Sequence, residues 1–226
     1  MASKTNKQEI LTPDKFQVFL ETARDYILTH KRNIAVGTAV VTLIIAMVAG
    51  WAYWRQTEET KAANLYNQAV LNNSRLAVMN QDVAATVKPF QEVTNKYPGS
   101  KAAILSQYRI GNAYLNAGRT DEAIKFFQAY LKGKSGDNEL TALAYNGLGY
   151  CYETMGDFKL ALNNYERALQ SRAGGPFAGD ILAGMARSYE GMQDKDKARE
   201  YYRQAMEKVQ DPTLKMLIGR KLAMLG

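Results

Sequence analysis

Cysteine and histidine are nearly absent from this 226-residue chain: there is one of each, Cys151 and His30. One cysteine excludes an intramolecular disulfide framework and a cysteine-rich zinc site. One histidine excludes a His-pair or three-histidine metal centre, and any Ser–His or Cys–His nucleophile would have to use that imidazole. A concentrated basic tract is missing too. The net charge of +7 is spread along the chain, with +2 of it over residues 1–33 and the remainder in mixed signs over 55–226. Such a pattern reads as a solvated surface with some attraction to anionic lipid, and nucleic acid is not an expected partner. Phosphate-loop and dinucleotide fingerprints also fail. Gly133-Lys134-Ser135 has Gln128 where the loop needs its first glycine, and Gly147-x-Gly149 is followed by Tyr152 where a third glycine belongs. Cys151, between two tyrosines, reads as a structural thiol. No catalytic residue, metal ligand or cofactor is expected, and the chain reads as a binding protein and not an enzyme.

Apolar residues, by contrast, make up 46% of the chain, enough to build a core. Some of them are concentrated. From Ile34 to Trp54 the sequence IAVGTAVVTLIIAMVAGWAYW contains no charge. At ~1.5 Å per residue this helix is ~31 Å long, which matches a hydrocarbon core of ~30 Å. Trp51, Tyr53 and Trp54 gather at one end, as ring side chains do at a membrane interface, with Arg55 beyond them; Lys31 and Arg32 bracket the other end. The run is longer than a signal-peptide core, and it lacks the polar face of a soluble core helix. A transmembrane helix over 34–54 is the expectation. The flanking cations place the N-terminus in the cytoplasm and the remainder outside, in the periplasm of a bacterial inner membrane. Before the span, Thr12-Pro13-Asp14 is a helix start, and Phe16, Phe19, Leu20, Ala23 and Ile27 recur at helical spacing. The segment 1–33 is therefore read as carrying a short amphipathic helix. Two partners suit it equally, the cytoplasmic membrane surface or another protein.

After residue 55 the sequence repeats itself. Tyr114, Tyr152 and Tyr189 recur 38 and 37 residues apart, as do Ala123, Ala161 and Ala198, and Phe127, Tyr165 and Tyr202. A small residue (Gly111, Gly149, Ala186) precedes each tyrosine by three positions. Gly118 and Gly156 mark a tight turn between two helices, with Gln193 in that place in the third copy. A degenerate earlier copy spans 62–98: Phe90 stands 37 residues before Phe127, and Pro98 closes it, but Ser74 and Thr86 occupy its small-residue positions, which leaves its first helix undefined.

These residues resemble the tetratricopeptide repeat (TPR), a helix–turn–helix unit of about 34 residues. The resemblance implies an all-α fold: a single N-terminal transmembrane helix, then a TPR-like α-solenoid over 55–226. Its four helix pairs fall at about 62–98, 104–137, 142–175 and 179–212, with a capping helix over 212–226. The surplus length falls in loops at 133–138 and 171–176. In this family the first helix of each pair lines an inner groove. Carried over by position, the groove candidates are Tyr108, Asn112 and Leu115, then Asn146, Tyr150 and Glu153, then Arg187 and Glu190. Aromatic and amide groups there suit a peptide ligand, although the same residues also fit an ordinary exposed helix face. The charged clamp that some TPR domains use for terminal carboxylates is not reproduced, because Gly147, Asp180 and Gly184 stand at its positions. With Gly50-Trp51-Ala52-Tyr53-Trp54 at the membrane exit, the layout is similar to the YfgM-like ancillary subunits of the SecYEG translocon. That likeness implies protein partners at the membrane: SecYEG, secretory chains or periplasmic chaperones. An anchored scaffold for cytochrome c maturation or outer-envelope assembly fits the same layout.

Overall fold

A computed structural model describes residues 15–76, 82–133, 138–171 and 174–226. Among these residues the chain forms ten α-helices and one 3₁₀ turn, and no strand. The Thr12-Pro13-Asp14 helix start, most of the 133–138 loop and part of the 171–176 loop lie outside the described residues. Two units are distinguished, Met1–Arg55 and Gln56–Gly226.

The first unit holds α1 (Lys15–Thr29) and the first part of α2 (Lys31–Leu76). No residue of α1 is buried. The helical hydrogen-bond ladder continues past its end: His30 N donates to the Tyr26 carbonyl and Ile34 N to the His30 carbonyl, both at 3.0 Å, and the His30 ring stacks on Tyr26. In α2 an 18-residue window reaches a mean hydropathy of 2.2 with none of it buried. Its hydroxyls are satisfied internally. Thr38 Oγ1 donates to the Ile34 carbonyl at 3.0 Å and Thr42 Oγ1 to the Thr38 carbonyl at 2.8 Å. A helix in lipid needs that arrangement, since hydrocarbon offers no partner. Lys31, Arg32, Trp51, Tyr53, Trp54 and Arg55 are all exposed, and the Arg55 guanidinium lies 5.3 Å from the centre of the Trp51 ring.

In the second unit α4 (Lys101–Asn116) packs on α5 (Thr120–Lys132), α6 (Asn138–Thr154) on α7 (Phe158–Gln170), and α8 (Ala178–Gly191) on α9 (Lys195–Lys208). The end of α2 supplies the first helix of the degenerate copy, with α3 (Val83–Lys96) as its second. The Ser74 side chain lies outside the described residues. Ala62 and Ala69, both buried, are the small residues α2 sets against Val87, Phe90 and Val93 of α3. Finally α10 (Pro212–Leu225) covers α9, with Ile218 fully buried in the last core cluster.

Each turn within a pair uses one left-handed residue. Gly118, Gly156 and Gln193 have φ of 72°, 79° and 61°. The residue after each donates back to the repeated tyrosine: Arg119 N to Tyr114 O, Asp157 N to Tyr152 O and Asp194 N to Tyr189 O, at 2.9–3.0 Å. These bonds satisfy carbonyls that the helix end leaves free. Asp157 and Asp194 then cap the following helix, accepting from Leu160 N and Lys197 N.

The pairs stack because a ring fits between two glycines. A Cβ on Gly111 would lie 2.9 Å from the Phe127 ring, and one on Gly147 of the next pair 2.8 Å from the same ring. Tyr165 sits likewise between Gly149 and Gly184, where added Cβ atoms would approach to 2.6 and 2.5 Å. Without side chains at these four points the helices close on a fully buried aromatic ring.

Candidate functional site

The sequence-derived groove residues divide into three groups. Tyr108 belongs to the core: it is buried, with its ring 5.9 Å from Phe127 and 5.7 Å from Tyr130. Burial raises its phenol pKa. Leu115 is half-buried against the same cluster. Cys151 is fully buried there, and burial pushes its thiol up to about 12.

The second group bonds within the stack. Glu153 accepts from Arg187 through Nε at 2.6 Å and Nη2 at 3.0 Å, and from the Tyr165 hydroxyl at 2.7 Å. Burial alone would lower the Arg187 pKa, but its bonds to Glu153 push it up. One repeat later the arrangement recurs. Glu190 accepts from the Tyr202 hydroxyl at 2.9 Å, and Lys221 of α10 takes the role of the arginine at 2.7 Å. Desolvation favours the neutral Glu190 acid, yet the bonds from Lys221 and Tyr202 outweigh it and hold its carboxyl below the usual range. Glu153 and Arg187 therefore join one helix pair to the next, and Glu190 joins the last pair to α10.

The third group faces outward. Tyr150 is 49% exposed and Asn146 half-buried on α6. Asn112 lines a cleft of ≈ 350 Å³ between the end of α2 and α4, floored by Thr86 and Phe90 of α3. Val70 and Asn73 form one wall, and Arg109, Asn112 and Asn116 the other. Asn73 Nδ2 donates to the Thr86 carbonyl at 3.0 Å, which fixes that amide. Arg109 Nε donates to the Tyr66 hydroxyl at 3.2 Å, which anchors the guanidinium at the rim. The cleft thus offers amides, one cation and an aromatic floor, which suits a peptide's backbone and side chains. Sequence reading identified Asn112 and missed Asn73, Arg109 and Asn116. Arg109 and Asn116 lie one turn either side of Asn112 and could have been found from helical spacing. Asn73 needed the first helix of the degenerate copy to be located.

No group of three or more His, Cys, Asp or Glu side chains among the described residues is placed to hold a metal ion.

Two tetratricopeptide repeat family models match the chain, over residues 100–173 and 147–215, together slightly more than half of it. The chain belongs to the tetratricopeptide repeat family. Solved TPR structures share the fold. MamA from Desulfovibrio magneticus is 16% identical, with 74% of this chain and 83% of that one covered and a TM-score of 0.56. A tetratricopeptide repeat protein from Parabacteroides merdae is 16% identical, covering 72% and 60%, also at 0.56. At such identities the likeness concerns the fold alone. No curated protein matches the chain. TPR domains are protein-interaction modules.

Proposed function

We propose that this chain is a single-pass membrane protein whose TPR domain binds protein partners beside the bilayer. The observation that carries the anchor is α2: an apolar window of mean hydropathy 2.2 with none of its residues covered by protein. A helix of that composition in a soluble domain would be buried; left bare, it needs lipid. Trp51, Tyr53 and Trp54, all more than half exposed, would lie at one interface and Lys31 and Arg32 at the other. The charge flanks favour a cytoplasmic N-terminus and repeats on the periplasmic side of a bacterial inner membrane. Anchoring raises the effective concentration of the repeats near membrane partners. On this reading the inner-face cleft at Asn112 takes peptide segments of secretory chains or periplasmic chaperones, and the span sits near the Sec translocon.

In-membrane photocrosslinking from a span position such as Val40, followed by identification of the adducts, tests the assignment. SecY, SecE or SecG adducts are expected. Adducts only to haem-ligation or outer-envelope assembly proteins would move the scaffold to that machinery and remove the Sec role.

A further inference from the structure

In two of the three well-formed repeats the tyrosine of the first helix stacks on an aromatic ring of the second. Tyr114 lies 5.4 Å from Phe126, and Tyr189 lies 5.1 Å from Tyr201, both nearly parallel. The repeat between them breaks the rule. Asn164 stands 38 residues after Phe126 and 37 before Tyr201, so Tyr152 meets an amide where its neighbours meet a ring. An asparagine is smaller than the ring it replaces, and a groove of ≈ 460 Å³ opens at that point between α5 and α7, lined by Tyr152 and Asn164. It lies on the second-helix side of the pairs, away from the cleft at Asn112.

The groove has directional chemistry. Asn164 is 8% exposed, and its Nδ2 donates to the Leu160 carbonyl at 2.8 Å. That engages the amide nitrogen and leaves the oxygen of this lining residue as an acceptor. Leu148 and Leu160 supply apolar wall, Leu160 being 44% exposed. Lys132 and Arg167 stand in the last turns of their helices, Arg167 over the Tyr145 ring at 5.8 Å, and no carboxylate is among the described residues that line the groove.

We infer that this outer groove binds an extended acidic peptide segment through an aromatic side chain, which takes the place Phe126 and Tyr201 fill in the flanking repeats. The ring stacks on Tyr152, a peptide N–H donates to Asn164 Oδ1, and a neighbouring Asp or Glu pairs with Lys132 and Arg167. The occupant is a protein segment of that chemistry, and the site is independent of the inner-face cleft.

The test uses the full-length protein in detergent or nanodiscs and a fluorescein-labelled peptide of about six residues, phenylalanine flanked by glutamates. Binding is read by anisotropy beside two comparators: alanine for phenylalanine, and lysines for glutamates. Each comparator is expected to bind at least about tenfold more weakly. Asn164→Phe restores the ring of the flanking repeats. It should keep or raise the Tm and weaken the probe at least about tenfold. Lys132→Glu with Arg167→Glu should reverse the preference toward the lysine probe, and Lys208→Glu, outside both clefts, should leave the affinity for the acidic probe unchanged. No binding by the wild type, full binding by Asn164→Phe, or loss only in Lys208→Glu would each overturn the proposal.

Discussion

Arg187 grips both carboxylate oxygens of Glu153 across the step between two helix pairs. The same step between the preceding pairs is built differently. Leu115 stands where Glu153 does, Phe127 where Tyr165 does, and Tyr150 where Arg187 does, at spacings of 38, 38 and 37. One scaffold thus joins its repeats at one step through the apolar Leu115 and Phe127 and at the next through a partly buried ion pair. Arg187→Leu leaves Glu153 without its cation and is expected to cost about 2–3 kcal/mol in urea denaturation. The triple change Glu153→Leu, Tyr165→Phe, Arg187→Tyr reproduces the apolar step and should recover most of that loss. Equal destabilisation by the single and triple variants would show that the pair is not interchangeable with apolar packing.

Gly184→Ala is a second test of the stack. In a helix, alanine ordinarily gains about 1 kcal/mol over glycine. Here its Cβ would lie 2.5 Å from the Tyr165 ring, and that ring is fully buried. The expected net effect is a loss of about 1–3 kcal/mol from overpacking, seen as a lower Tm.

Gln193 is the non-glycine residue with positive φ among the described residues. A left-handed conformation costs such a residue about 1–2 kcal/mol, and glycine returns about 0.4–1 kcal/mol of that through unfolded-state entropy. Gln193→Gly should therefore stabilise the fold by up to about 1 kcal/mol in chemical denaturation.

Protonation gives a fourth prediction. Despite desolvation, bonds from Lys221 and Tyr202 hold the Glu190 carboxyl below its ordinary value of 4.5. A depressed acid stabilises the fold fully above its unfolded pKa and loses that contribution as pH falls through the folded one. Glu190→Gln should lower stability at neutral pH by about 1 kcal/mol, and the gap should close below about pH 4.5. Denaturation curves at several pH values check both points.

The helical class, the pairing and the turn residues were legible because each rests on a local signal that recurs along the chain. The Tyr114, Tyr152, Tyr189 register fixes a helix face, and Gly118 and Gly156 report a left-handed turn. Gln193 was legible only by alignment with them, since glutamine carries no turn signal of its own. The groove was harder to read. Glu153, Arg187 and Glu190 look exposed in a helical projection, but their charged partners lie on a neighbouring pair or on α10, and a projection of one helix cannot show what covers it. In the sequence Gly147 stands out as part of a failed dinucleotide fingerprint and, with Gly184, for lacking the groups of a carboxylate clamp. Their actual role, making room for Phe127 and Tyr165, depends on tertiary contact. The first helix of the degenerate copy was obscured for a different reason: α2 runs from Lys31 to Leu76 without a break, so no cap marks where the repeat begins.

The anchored arrangement is tested most directly by protease accessibility of a C-terminally tagged full-length chain in cells with opened outer membranes and intact inner membranes. With the repeats outside the inner membrane, the tagged repeats are digested, leaving a short membrane-bound N-terminal fragment that contains Ile34–Trp54. Full protection of the repeats until the inner membrane is lysed, or release of the undigested chain by carbonate wash, would contradict that arrangement.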